Sequence, residues 1–189
     1  MEATSMSERA TYRSPFTAPA SITPAAAIVP LGPASRHVLR LPPGAAAAVG
    51  RAGMFDLSAP VNSARGTADR FAARLGPDEW LLVAPDEDGA ASAIAADLAG
   101  HFHSLVDIGH RQAAITVGGA AAPMILNAGV PLDLHGSAFP PGSATRTVLA
   151  KAEIVLVRGS EGFRVECARS LAPYVQAFLL NAAQEWGAA

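Results

Sequence analysis

The side chains of this chain that could do chemistry are few, and they are spread along its length. The one thiol, Cys167, sits in a stretch where Phe163, Val165 and Cys167 alternate with Arg164 and Glu166. That alternation turns the thiol toward an apolar strand face, where its pKa rises and it is a poor nucleophile. Asp107 and His110 form the one obvious orienter and base of the kind nucleophilic catalysis needs, with no activated nucleophile beside them. His101 and His103, on alternate residues, could face a single ion with Asp107 and His110 nearby; two histidines at a helix end are equally well explained by the helix dipole and solvent.

Three further groups invite a binding role. Gly118-Gly119-Ala120-Ala121-Ala122-Pro123 follows a strand but lacks the later glycines of a dinucleotide turn, which leaves a tight turn or, at most, an anion cradle at a helix start. Asp86-Glu87-Asp88 precede a helix, where negative charge is stabilising without any substrate. Arg111, Arg146, Lys151 and Arg158 would make a cationic site for a carboxylate if the fold gathered them, and would otherwise be solvated or interface charges.

The elements that must position these groups follow from periodicity and turn chemistry. Residues 1–35 carry Pro15, Pro19, Pro24, Pro30 and Pro33, too closely spaced for a helix or a central strand, and are expected to form an extended Pro/Ala-rich arm. From residue 36 to 189 one α+β domain is expected. It opens with a strand at His37 to Leu41 and an Ala-rich helix over about 44–52. A hairpin of Phe71–Leu75 and Glu79–Ala84 follows, turned by Gly76-Pro77-Asp78. Next comes a helix with Ile94, Leu98 and Phe102 on one stripe, then strands Ser104–Asp107 and Arg111–Val117. A helix runs from Gly118-Gly119 to Asn127, with a left-handed cap expected at Asn127-Ala128-Gly129. After a loop over 131–141, Val148–Arg158 and Gly162–Cys167 read as a hairpin. The last helix runs from Ser170 to Trp186, with Leu171, Tyr174, Val175, Phe178, Ala182 and Trp186 on one side and Leu179 and Leu180 widening the stripe. This order matches ferredoxin-like split βαβ units used more than once.

Composition narrows the function classes. In 189 residues, half are hydrophobic but only 6% aromatic, so the core is built from Ala, Val, Leu and Ile. The net charge of -2, without long runs of one sign, gives no footprint for nucleic acid or an anionic membrane. One lysine, Lys151, stands against 13 arginines. A single cysteine excludes an internal disulfide and a multi-thiolate zinc site. No apolar run is long enough to span a membrane, and the first residues, with Glu2 and Glu8, lack a signal pattern; a cytoplasmic protein is expected.

Specific words carry more than these patterns. Leu75-Gly76-Pro77-Asp78-Glu79-Trp80-Leu81-Leu82, Val106-Asp107-Ile108-Gly109-His110-Arg111-Gln112, and Pro131-Leu132-Asp133-Leu134 are followed by Thr145 to Leu156 and by Arg169-Ser170-Leu171-Ala172-Pro173-Tyr174-Val175. Their order and spacing resemble the gamma subunit family of heterotetrameric sarcosine oxidase over about residues 36–186. Gly109 departs from the family word, which more often has Ser before His-Arg. The resemblance implies a shortened aminomethyltransferase, folate-binding-type fold. It also implies an assembly that demethylates sarcosine oxidatively to glycine, passes the one-carbon unit to tetrahydrofolate and forms hydrogen peroxide.

By the same resemblance FAD, FMN, NAD, tetrahydrofolate and zinc belong to the alpha, beta and delta partner subunits, and this chain has no catalytic, cofactor or metal residues of its own. Its expected contact residues are His110, Arg111 and Gln112, the strand from Arg146 to Lys151, and an apolar patch at Leu179, Leu180 and Trp186. The alternative is a free-standing folate-binding one-carbon transfer protein of the same fold.

Overall fold

The computed structural model describes residues 12–86 and 89–187. In chain order the elements are β1 (Ser21–Ile22), β2 (Ala27–Pro30), β3 (Ala34–Arg40), α1 (Ala45–Val49), β4 (Arg51–Ala52), β5 (Phe55–Asp56), β6 (Ser63–Gly66), β7 (Phe71–Arg74), β8 (Glu79–Pro85), α2 (Ala90–Asp97) and β9 (Ser104–Asp107). Then come β10 (Gln112–Gly118), α3 (Ala122–Asn127), β11 (Ala144–Leu149), β12 (Ala152–Arg158), β13 (Gly162–Ala168) and α4 (Ala172–Ala183). No described helix is long and apolar enough to cross a membrane.

Two antiparallel sheets lie face to face, with helices on the outside of each. One sheet has the order β6-β7-β8-β3-β9 and the other β1-β2-β10-β13-β12-β11. The alternation along β8 shows why four layers form. Trp80, Leu82 and Ala84 join Ile94 and Leu98 of α2 in one core, while Leu81 and Val83 join Ala144 and Val157 of the other sheet in a second. A strand apolar on both faces needs cover on both. In the other sheet, Ile115, Val165 and Cys167 pack with Ile125 of α3 and Val175 and Leu179 of α4.

The split βαβ pattern is present twice. In the first unit the three-strand run β6-β7-β8 lies beside β3, with β9 beyond it; in the second, β11-β12-β13 lies beside β10 in the same order. No strand follows α4 among the described residues, and β2 fills that place, with Ile28 opposite Val117 and Pro30 opposite Ile115. Residues expected to form an arm outside the domain are therefore built into it. Ala26 and Ile28 are buried, and the boundary placed at residue 36 falls inside β3. Pro30 is tolerated because it ends β2. Gln176 on α4, itself buried, fixes the approach to β1 by accepting from the N–H groups of Thr17 and Ala18 and donating to the Ala18 carbonyl.

Several expectations shift. Val148–Arg158 is two strands, because a two-residue turn at Ala150-Lys151 separates β11 from β12. Neither residue is a turn former, and Ala150 takes a φ of 51°, held where its N–H meets the Gly129 carbonyl at 2.9 Å. Gly129 does not form a left-handed cap. It is there for space, since a Cβ would stand 2.8 Å from the Phe178 ring. Phe102 is 87% exposed, because α2 stops at Asp97 and the four-residue spacing no longer holds beyond it. On α4 the buried face is Ala172, Val175, Gln176, Leu179 and Ala183, one step round from the expected stripe; Leu171 and Tyr174 lie at its rim. Glu87 and Asp88, expected to cap α2, lie outside the described residues, and the first turn of α2 holds no acid.

Candidate functional site

The polar chemistry of this protein collects between the two sheets. Arg36 on β3 points across the gap, and its Nε donates to Glu166 Oε2 on β13 at 2.7 Å, with both side chains 2% exposed. Arg164, two residues earlier on the same face of β13, donates to the other carboxylate oxygen at 2.8 Å. Arg36 Nη1 donates to the Ala34 carbonyl, while Nη2 is buried without a partner. At such depth desolvation offsets much of the attraction, so the network fixes how the sheets meet more than it adds stability.

Beside Glu166 a cleft of about 390 Å³ opens between the sheets. Val38, Leu81 and Ile108 form its apolar wall, and Arg111, Gln112, Arg146 and Glu79 its polar rim. Glu79 is bonded by two arginines, Arg40 at 2.6 Å and Arg146 at 2.6 Å. The 3-10 turn Gly109–Arg111 that presents His110 and Arg111 is set by Asp107, whose carboxylate accepts from the Gly109 N–H at 2.8 Å. Burial first, and the Glu166 charge second, push the Cys167 thiol up to about 12, so it is neutral and inert at the foot of this cleft.

Of the expected contact residues, Arg111, Gln112 and Arg146 therefore line one cleft, with His110 exposed beside it. Lys151 is at the tip of the β11–β12 turn, where its N–H meets the Tyr174 hydroxyl, and does not line the cleft. Nor do Leu180 and Trp186. Leu180 packs half-buried against the α3–α4 core, Leu179 is fully inside it, and Trp186 is 37% exposed. The four cations are not gathered into one site, and of the two readings the sequence left open that of separate charges holds: Arg158 is spent on the Leu134 and Phe139 carbonyls and holds the 131–141 loop.

The other candidates resolve locally. His103 Nδ1 contacts the His101 carbonyl at 2.8 Å, and among the described residues no three of His, Cys, Asp and Glu come together to hold a metal ion. Gly119 has a φ of 89°, and a Cβ there would sit 2.4 Å from the Ala25 carbonyl, which instead accepts from the Ala121 N–H. The glycine pair thus receives the N-terminal segment. A second, larger cleft of about 670 Å³ lies at the other end of the sheet gap, between the β6–β7 and β12–β13 turns.

Sequence reasoning missed Arg36, Glu79, Arg164 and Glu166. Arg164 and Glu166 alternate with apolar residues and read as facing solvent, Glu79 opens an unbroken apolar run, and Arg36 precedes the strand expected from His37. A second sheet covering that face is invisible to the alternation.

Comparison with known proteins gives a consistent result. The model of the sarcosine oxidase, gamma subunit family matches residues 41–185. The gamma subunit of sarcosine oxidase from Arthrobacter sp. is 34% identical over 116 residues, which is 61% of this chain and 56% of that one. Its counterpart from Corynebacterium sp. (strain P-1) is 30% identical over 113 residues, or 59% and 56% of the two chains. The matched stretch thus spans little more than half the length of these curated relatives. A chain of heterotetrameric sarcosine oxidase from Corynebacterium sp. U-96, solved with pyrrole 2-carboxylate, superposes with a TM-score of 0.80 at 26% identity, covering 88% of this chain and 87% of that one. The glycine cleavage system aminomethyltransferase T of Bartonella henselae shares the fold, with a TM-score of 0.62 at 13% identity over 82% of this chain and 45% of that one.

Proposed function

Because this chain belongs to the sarcosine oxidase gamma subunit family, we propose that it works as the non-catalytic gamma subunit of a heterotetrameric, sarcosine oxidase-like flavoenzyme in the cytoplasm. The observation that carries this reading is the likeness along nearly its whole described length to a chain of such an assembly. The assembly demethylates sarcosine oxidatively to glycine, transfers the one-carbon unit to tetrahydrofolate and releases hydrogen peroxide. FAD, FMN, NAD, tetrahydrofolate and zinc are held by the alpha, beta and delta subunits.

The side chains described above support a role without chemistry. The thiol is buried, His37 is buried apart from the exposed His101, His110 and His135, and among the described residues no grouping of these side chains fits a zinc ion. What this chain supplies is a rigid pair of sheets with a polar cleft at their seam. Its partner-facing residues are His110, Arg111, Gln112 and Arg146 around that cleft, with Lys151, Leu180 and Trp186 as separate contacts.

Calorimetric titration with tetrahydrofolate tests the reading against a free-standing folate-binding protein. No heat is expected from this chain, and micromolar binding by it alone would favour the alternative.

A further inference from the structure

We propose that the free edge of β9 accepts an extended segment of a partner subunit as an additional strand, with an acidic residue of that segment on Arg111. This rests on the subunit reading above and names where one partner docks. The two sheets provide the first argument. Aligned position by position, β6-β7-β8-β3-β9 matches β11-β12-β13-β10-β2, yet the second sheet continues with β1 beyond β2, whereas no described strand lies beyond β9. One unit fills the outermost position from its own chain and the other leaves it open.

The edge itself is fit to pair. The Ile108 N–H donates to the Arg36 carbonyl at 2.9 Å, and antiparallel alternation from that bond turns the N–H and C=O groups of Leu105 and Asp107 outward. Such edges are normally blunted by lysine, proline, other charges or a bulge; Ser104-Leu105-Val106-Asp107 has no lysine or proline, and its one charge, Asp107, is engaged by the Gly109 N–H. Apolar surface flanks it, with Phe102 at 87% exposure and Val106 at 48%, and Val106 pairs with Val38, which lines the cleft.

The chemistry of the occupant follows from what is left unpaired. A row of outward amides selects an extended backbone. Arg111 is exposed at the cleft rim, and among the described residues its guanidinium has no acidic or hydrogen-bonding partner. It selects a carboxylate. A second copy of this chain fits less well, because the acid its β9 would bring, Asp107, already holds the Gly109 N–H.

The test uses the tagged chain purified with its partner subunits. Hydrogen exchange over residues 104–108 is compared with that of a synthetic peptide covering 103–109. The Leu105 and Asp107 amides are expected to exchange more slowly than in the peptide, by well over about tenfold. Arg111→Glu and Val106→Lys are each expected to lower the yield of this chain in the assembly. Peptide-like exchange at both amides, with both variants assembling normally, overturns this proposal and leaves the subunit reading standing. A tagged chain that purifies with no second polypeptide overturns both, and an assembly in which β9 pairs with β9 of a second copy overturns the choice of occupant.

Discussion

Arg36 and Glu166 join the two sheets through a 2.7 Å ion pair with both side chains 2% exposed. Removing one member leaves a buried charge uncompensated, which typically costs about 3–5 kcal/mol. Glu166→Ala strands both Arg36 and Arg164 and is expected to cost that much in urea denaturation. By contrast Arg146→Ala, at a pair whose arginine is 44% exposed, should cost less than about 1 kcal/mol.

The N-terminal segment is a structural strand and not a tether. Ile28 is 1% exposed and belongs to the same core as Ile115 and Val175. Ile28→Ala is therefore expected to lower stability by about 2–5 kcal/mol, as a large-to-small change in a packed core does. A change of a few tenths, read from the denaturation midpoint, would mean that β2 is not held.

Gly129 is required for close approach. A Cβ would lie 2.8 Å from the Phe178 ring and 2.9 Å from the Ala150 nitrogen, so at least one contact is with backbone that cannot rotate away. Gly129→Ala is expected to destabilise by about 1–3 kcal/mol in a thermal melt. Phe178→Leu on that background should recover only part of it, since the contact with Ala150 remains.

The Cys167 thiol, pushed up to about 12 from 9.0, is neutral in the fold when it would already ionise in the open chain. Between these values the unfolded state binds fewer protons than the native one, so stability falls as pH rises from 9 toward 12 and is unaffected below 9. Cys167→Ala should flatten that alkaline limb. A thiol reagent at neutral pH should label the native protein no faster than it unfolds.

Much of this architecture was legible in the sequence, and the parts that were not share a cause. Gly76-Pro77-Asp78 gives the β7–β8 hairpin, and Ala113, Ile115 and Val117 fall on one face of β10 as alternation requires. Local chemistry could not reveal the turn at Ala150-Lys151, because a distant carbonyl on Gly129 stabilises it. Nor could it place β2, whose partner lies more than 80 residues away, at Val117. The cleft is half visible: Arg111, Gln112 and Arg146 stand in the family words, whereas Glu166 alternates with apolar residues and reads as solvent-facing, and Glu79 only opens the apolar run Trp80 to Ala84. The α4 stripe lies one step round from the periodic one, because Tyr174 and Phe178 meet at a tilt at its rim, with centroids 6.4 Å apart, and Phe178 only flanks the core.

The proposed role of this chain is to contribute surface to an assembly whose chemistry lies in other subunits. Sarcosine-dependent hydrogen peroxide formation, measured on the purified chain alone and on the complex that co-purifies with it from its own host, tests this most directly. No turnover is expected from the chain alone, and turnover with flavin absorbance is expected from a complex containing it in fixed stoichiometry. Oxidation of sarcosine by the isolated chain would contradict that role.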